Sequence, residues 1–389
     1  MAKSRKYVGW KDWGNYLCNQ FFNMAFGFFK KKTETPISGK SHYRELVVKD
    51  VVRETSDAVS LVFEQPSPPI QYQSGQFLTL ILEINGKEVR RAYSLSSSPV
   101  TDSFPAVTVK RVTNGLVSGY IVEKVRAGDR IEIMEPAGHF TVDFVAESSR
   151  HLVLFAGGSG ITPMLSLIKT LLFTEPKSRC TLIYANRNEE SIIFRKKLDE
   201  LSALNQDRFR INYLLDEATE DWKGYSGFLN AEILGKILNE ISPSELPFVS
   251  YMMCGPEGMM KNVEALLTSR GVPAEQIRHE SFNLSSSDKK VVVSAETEGS
   301  HPVVIRYDGQ EHQIVVESGK TILETALSQG IDLPYSCQSG LCTACRGKAI
   351  SGKVKLDEED GLSKSELEEG YVLTCVGHPL TDDVVIEIG

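Results

Sequence analysis

The stretch Pro334-Tyr335-Ser336-Cys337-Gln338-Ser339-Gly340-Leu341-Cys342-Thr343-Ala344-Cys345-Arg346 sets three cysteines at C-x4-C-x2-C spacing, and Cys375, in Y-V-L-T-C, follows after 29 intervening residues. That is the plant-type [2Fe–2S] spacing, in which four thiolates converge on two irons. Three ligands then come from one tight loop and the fourth from a distant strand. Gly340, with small Ser339, Thr343 and Ala344, is expected to let loop amides approach the sulfides. A structural zinc site also takes four thiolates, commonly from two short C-x2-4-C knuckles. Only one such pair exists here, which favours the cluster.

Outward from the loop, residues 302–389 read as one domain. V-V-I-R-Y and H-Q-I-V-V flank the turn Asp308-Gly309, a hairpin signal, and the helical run T-I-L-E-T-A-L-S-Q precedes the cysteines. This segment holds seven Lys/Arg against fifteen Asp/Glu, with acids concentrated at Asp357–Asp360 and Glu366–Glu369. Such runs are commonly solvated faces, and they can also steer a basic partner. Before it, residues 284–301 are rich in Ser, Lys and Glu and read as a linker, with Val291–Val293 a candidate short strand.

Residues 148–283 alternate strands and helices. H-L-V-L-F-A is followed by G-G-S-G-I-T-P-M and an apolar helix, then by strand C-T-L-I-Y-A, helix S-I-I-F-R-K-K-L-D-E-L and strand F-R-I-N-Y-L-L. A helix around Asn230–Ile241, strand P-F-V-S-Y-M-M and a helix from Gly258 complete the alternation, which predicts a parallel sheet wrapped on both faces. Residues 42–147 instead carry short β-branched runs separated by P-S-P-P, N-G-K, T-N-G and A-G-D, the texture of a small antiparallel barrel.

Residues 1–41 stand apart. Trp10, Trp13 and five phenylalanines mark large apolar positions at helical spacing, bracketed by lysines. Polar interruptions leave no run of about 20 apolar residues to span a bilayer, and no cleavage-site pattern marks a signal peptide. An aromatic, basic, amphipathic helix fits either a peripheral membrane contact or docking on protein. Residues 1–40 carry eight Lys/Arg against two acids, +6, which leaves −14 of the total −8 on the remainder. A basic arm on an acidic body argues against a nucleic-acid partner. At 389 residues roughly two to four domains are expected. Beyond the four clustered cysteines, only Cys18, Cys180 and Cys254 remain, odd in number and far apart, so a reduced cytoplasmic setting is expected over a disulfide framework.

Several short motifs carry chemistry. In Arg91-Ala-Tyr93-Ser94 an arginine can neutralise a diphosphate, a tyrosine can stack on a flavin and a hydroxyl can sit at its reactive edge. An ordinary edge strand is the plain alternative. Gly115-Leu-Val117-Ser118 can turn amides toward phosphate. Gly157-Gly158-Ser159-Gly160 lies between a strand and a helix, a ready dinucleotide site, with Pro163 suited to the first helical turn. Cys254-Gly255-Pro256 follows the last predicted strand, where Cys254 is either a group packed on a nicotinamide or an inert core thiol. Asn186-Arg187, with Arg195 beyond, suits a 2′-phosphate better than an acid would, which leans toward NADPH over NADH despite Glu189 and Glu190.

Taken in this order, these motifs resemble the ferredoxin–NADP reductase superfamily. With the C-terminal cysteine domain, residues 42–389 are similar to the reductase components of multicomponent oxygenases. The run Y-A-N-R-N-E-E-S-I-I-F-R draws them toward the phenylacetyl-CoA epoxidase reductases. The resemblance implies a multidomain chain: an antiparallel β-barrel flavin domain (42–147), an α/β parallel-sheet nucleotide domain (148–283) and an α+β β-grasp ferredoxin domain (302–389). It implies FAD held by Arg91, Tyr93, Ser94, Lys110, Gly115, Val117 and Ser118. NADPH or NADH would be held by Gly158, Ser159, Gly160, Thr162, Arg187, Cys254, Gly255 and Pro256, and the cluster by Cys337, Cys342, Cys345 and Cys375. Ser94, Cys254 and Glu280 would frame hydride transfer, with Phe282 over the flavin.

The expected function follows from what each group can carry. A nicotinamide gives two electrons as hydride, a [2Fe–2S] cluster takes one, and a flavin can mediate. The chain is therefore expected to pass electrons from NAD(P)H through FAD and the cluster to an acceptor protein such as an oxygenase. The alternative is a membrane-surface electron-transfer subunit serving a lipid desaturase.

Overall fold

A computed structural model describes residues 43–240, 249–282, 299–359, 361–362 and 364–388. The expectations for residues 1–41 and for Val291–Val293 lie outside the described residues. The β-branched runs form β1 (Tyr43–Arg53), β2 (Ala58–Phe63), β3 (Phe77–Ile84), β4 (Lys87–Ser94), β5 (Ala106–Lys110) and β6 (Arg130–Ala137). Their antiparallel order is β4-β3-β6-β1-β2-β5, and a bridge between Leu95 and Val107 joins the two edges into a barrel. Asn85 and Gly86 take φ of 54° and 73°, the left-handed pair that a two-residue hairpin needs between β3 and β4. Alternation points Leu78, Leu80 and Leu82 inward against Leu46, Val48 and Leu61. A helix, α1 (Leu116–Lys124), fills the barrel core with Val117, Ile121 and Val122. It is nine residues long, so its apolar pattern is too brief to mark it in the sequence.

The next body contains β7 (His151–Gly157), α2 (Ile161–Thr174), β8 (Arg179–Asn186), α3 (Arg195–Leu204), β9 (Phe209–Leu215), β10 (Tyr225–Ser226), α4 (Ala231–Glu240), β11 (Val249–Cys254), α5 (Glu257–Ser269) and β12 (Ile277–Glu280). The sheet is parallel throughout, in the order β10-β9-β8-β7-β11-β12. Leu152, Leu154 and Ala156 pack on one face with residues of α2, while Val153 and Phe155 pack on the other with α4 and α5. Two expectations are corrected here. The helix expected from Ser191 starts at Arg195, because Phe194 holds φ at 63° and Ile192, Ile193 and Phe194 are a buried apolar loop. The last strand, β12, was not anticipated: I-R-H-E is short and largely polar.

The C-terminal body has β13 (His301–Tyr307), β14 (Gln310–Val316), α6 (Ile322–Ser328), β15 (Arg346–Ser351), β16 (Val354–Leu356), α7 (Lys364–Glu368), β17 (Tyr371–Leu373), β18 (Gly377–Pro379) and β19 (Val384–Ile388). Its main sheet runs β14-β13-β19-β15-β17, with β13 and β19 parallel. Thr321 caps α6 in a reciprocal box with Glu324. The predicted hairpin turn is present, with Asp308 and Gly309 at φ of 51° and 70°.

A seam of buried hydroxyls joins the barrel to α2. Thr170 donates to the Ser166 carbonyl at 2.9 Å and meets the hydroxyls of Ser74 and Ser98, the latter at 2.7 Å. Ser166 donates to the Ser97 carbonyl, and Lys169 pairs with Asp102. Thr170→Val keeps the shape and leaves two buried hydroxyls short of a partner, a cost of about 2 kcal/mol. Urea unfolding should show a lower midpoint for Thr170→Val at unchanged slope, with Thr170→Ser near wild type. Equal midpoints would mean that the seam contributes nothing to stability.

Candidate functional site

The carboxyl ends of β7 and β11 lie side by side, and the two turns that leave them pack backbone against backbone. A Cβ on Gly160 would lie 1.9 Å from the Cys254 carbonyl oxygen, and one on Gly157 would meet the Pro256 ring at 2.4 Å. Gly158 holds φ at 52°, which favours glycine. These constraints explain why G-G-S-G and C-G-P occur as a pair. The start of α2 carries no side-chain cap, although the Ile161 amide already meets the Gly158 and Ser159 carbonyls and Pro163 has no amide to offer an anion.

Across from this edge the barrel presents Arg91, Tyr93 and Ser94 on β4, Lys110 on β5 and the start of α1. All line one cleft of about 2750 Å³, together with Ser159, Thr162 and Glu280. That exceeds an ordinary single-ligand pocket of roughly 300–1,000 Å³ and leaves space for more than one extended cofactor. Gly115 is held by space: a Cβ would come within 2.6 Å of the Ser118 hydroxyl. That hydroxyl accepts the Val112 amide at 3.0 Å, so Ser118 shapes the loop, while the uncapped amides of α1 are the groups left for a diphosphate. Val117 lines the cleft and also fills the barrel core.

Ser94 and Glu280 meet across the two bodies, Ser94 Oγ donating to Glu280 Oε2 at 3.3 Å. Cys254 is registered opposite Glu280 between β11 and β12. Burial pushes the Glu280 carboxyl up to about 8, with the Ser94 hydrogen bond pulling the other way. Burial also raises the Cys254 thiol well above its usual range, with Glu280 adding to it. Cys254 has no exposed surface and stays a neutral thiol, suited to packing and unsuited to nucleophilic attack. Phe282, 37% exposed, lines the same cleft.

Arg187 lies apart, exposed beyond the end of β8, and its carbonyl accepts the Glu217 amide at 2.7 Å. Asp216 lies near enough for Arg187 to oppose the rise that burial gives its carboxyl. Arg195 is committed elsewhere: it stacks over Tyr213 and Trp222 and pairs with Asp199 at 2.8 Å and Glu189 at 3.3 Å. Asn186, 5% exposed, has neither side-chain polar atom paired within the protein. Its position at the strand end, beside the nucleotide turn, is a signal that composition could not supply.

Cys337, Cys342 and Cys375 line the same cleft. Hydrogen bonds from Cys342 and Cys375 hold the Cys337 thiol far below its ordinary value, while these contacts and burial hold Cys342 and Cys375 high. Cys345 faces Cys375 as well. Soft donors that neighbour one another in this way are the kind thiophilic iron takes, although no group of three or more ligating side chains among the described residues already stands in metal-holding geometry. Beside them in sequence, the Ser336 hydroxyl is buried without a hydrogen-bond partner among the described residues. Two details differ from expectation. Cys375 lies in the tight turn between β17 and β18, because the sheet ends at Leu373. Gly340, at φ 73°, is also held by Glu358, whose Cβ would lie 2.7 Å from an added Cβ, a reason beyond the expected approach to sulfide.

Three domain families match the chain: an oxidoreductase FAD-binding domain over residues 44–142, an oxidoreductase NAD-binding domain over 154–265, and a 2Fe-2S iron-sulfur cluster binding domain over 305–380. A component of the 1,2-phenylacetyl-CoA epoxidase of Escherichia coli is 38% identical over 352 residues, covering 89% of this chain and 97% of that protein. The ferredoxin reductase component of 3-ketosteroid-9-alpha-monooxygenase from Rhodococcus rhodochrous is 36% identical over 355 residues, covering 88% and 96%. Phthalate dioxygenase reductase shares the fold, with TM-score 0.55 at 22% identity over 89% of this chain and 98% of that one. No helix among the described residues is long and apolar enough to cross a membrane.

The position of Glu280 yields a pH signature. If hydride arrives beside Glu280, a carboxylate there opposes its charge, and nucleotide-driven flavin bleaching should slow as pH rises through about 8. The folded state binds this proton more tightly than the unfolded chain, so stability also falls between the usual carboxyl range and that value. In Glu280→Gln both dependences should flatten. A profile unchanged by this substitution would remove Glu280 from the step.

Proposed function

The chain belongs to the reductase components of oxygenase systems that join FAD-binding, NAD-binding and [2Fe–2S] domains in one polypeptide, and on that footing we propose that it draws hydride from NADPH or NADH and delivers single electrons to a partner oxygenase. The observation that carries this reading is one cleft lined by both Tyr93 and Cys342. Bound there, a flavin accepts a two-electron donor's pair and releases electrons singly to a one-electron cluster. The chain's own residues supply placement. Arg91 and Lys110 offset diphosphate charge, Tyr93 stacks on the ring, and the amides of Val117 and Ser118 face phosphate from the turn that Gly115 shapes, the Gly115 amide itself bonding the Val112 carbonyl at 2.9 Å. Gly158, Ser159, Gly160 and Thr162 receive the nucleotide diphosphate. Gly255 and Pro256 shape its bed, and Cys254 packs beneath the nicotinamide. Ser94 and Glu280 hold a proton-bearing edge at the point of hydride arrival.

The domain limits 42–147, 148–283 and 302–389 follow from this division of labour. A cytoplasmic site of action suits thiols that must stay reduced until iron arrives. The alternative of a membrane-surface subunit for a lipid desaturase has no support among these relatives. For the nucleotide, Arg187 is the side chain free to meet a 2′-phosphate, since Arg195 is engaged, and this favours NADPH.

Cys342→Ser should abolish reduction of a one-electron protein acceptor and the cluster's EPR signal, while ferricyanide reduction through the flavin persists. Protein reduction that survives would show another exit for the electrons. Arg187→Ala should raise KM for NADPH about tenfold, the worth of one charge-assisted phosphate contact, and leave KM for NADH unchanged. An equal effect on both nucleotides would sink the assignment.

A further inference from the structure

Arg90 precedes the flavin-strand motif by one residue and has none of the roles assigned so far. It is 9% exposed although its acidic partners are half exposed. Its Nε donates to Glu88 at 2.7 Å and its Nη1 to the Tyr43 hydroxyl at 3.0 Å, both within the barrel. Its remaining contacts belong to the ferredoxin domain. The guanidinium lies 4.2 Å from the centre of the Tyr335 ring, and Nη2 is 3.9 Å from Asp332. Tyr43 completes the link by donating to Asp332 at 2.9 Å. Tyr335 stands two residues before Cys337, so one side chain spans from the strand of Arg91 to the loop of the cluster. On the other side of that loop, Arg346 follows Cys345, pairs with Glu366 at 2.6 Å and depresses His139 of the barrel, whose main perturbation is its own burial. The bonds between barrel and cluster loop thus gather at the Asp332–Tyr335 end, while Arg346 pairs within its own domain.

We propose that Arg90 is a positioning residue for the passage of electrons between flavin and cluster, clasping the ferredoxin domain to the barrel so that the cluster loop faces the flavin end of the cleft. The inference rests on the electron path proposed above. Domains within a chain commonly move relative to one another unless an interface holds them, and tunnelling falls exponentially with separation. A planar guanidinium suits this role because it stacks on a ring and forks to two acceptors at once. Each transfer oxidises the flavin by one electron and reduces the cluster by one, so two transfers clear one hydride.

The test uses anaerobic stopped-flow mixing of the full, cofactor-loaded chain with NADPH or NADH, resolving flavin bleaching from cluster reduction. Arg90→Ala should slow cluster reduction about tenfold, or about 1.4 kcal/mol, with flavin bleaching unchanged. Arg90→Lys should recover little, because an ammonium cannot stack and fork together. Tyr335→Ala and Asp332→Ala, on the far side of the clasp and clear of the flavin strand, should repeat the defect even where Arg90→Ala also disturbs flavin binding, and Tyr335→Phe should behave as wild type. Hydrogen–deuterium exchange gives a readout apart from turnover: amides at 332–335 and 87–90 should exchange faster in Arg90→Ala, Tyr335→Ala and Asp332→Ala and not in Tyr335→Phe. Cluster reduction and exchange that both match wild type in Arg90→Ala and Tyr335→Ala would overturn the proposal. A wild-type cluster that never reduces through the flavin would instead overturn the electron path itself.

Discussion

The hydroxyl seam between the barrel and α2 is the contact on which the cleft depends. Ser94 and Glu280 belong to different sheets, yet they meet at 3.3 Å. Apolar surfaces can slide over one another at little cost, because burial is nearly indifferent to direction. Thr170, Ser166, Ser74 and Ser98 are directional, buried and mutually satisfied, so the two sheets have one register in which no hydroxyl is left alone. Ala58 and Phe140 of the barrel join the core of the parallel sheet and supply the apolar part of the same junction.

Much of this was legible in the residues, and the failures share a cause. Cysteine spacing, the N-G and D-G turns, and strands that alternate with helices are local signals, and each element they implied is present. What escaped was set by distant partners. The four residues of β12 become a strand because β11 lies beside them, which no local period reveals. Ile192, Ile193 and Phe194 mimicked a helix face because a buried loop needs apolar residues too. Gly340 was legible as a necessary glycine, but one reason for it lies 18 positions away at Glu358, which no local pattern shows. For the site, the flavin-strand residues, Ser159, Thr162, Glu280 and three of the cysteines gather around one cleft as expected, whereas Gly158, Gly160, Arg187, Cys254, Gly255, Pro256 and Cys345 are not on its wall.

Charge counts mislead in a similar way. The acidic runs of the ferredoxin domain look like free surface, yet Asp357 meets His378 Nε2 at 2.8 Å and Glu366 pairs with Arg346. Arg195, one of two candidate phosphate readers, is held by aromatic rings and carboxylates. A formal charge becomes available for recognition only after the internal pairings are subtracted, and those pairings follow from the fold.

The turn that carries Cys375 has a consequence for how the protein matures. Three ligands leave the ribosome together, but the fourth follows only after 29 further residues, and the parallel partner of β13 is the final strand, β19. The ferredoxin sheet therefore closes only after β19 has been made, whereas the barrel and the parallel sheet can form while synthesis continues. Iron delivery is accordingly a late assembly step, performed on a chain whose other two domains already stand, and a message truncated anywhere before codon 375 yields a reductase without its outlet.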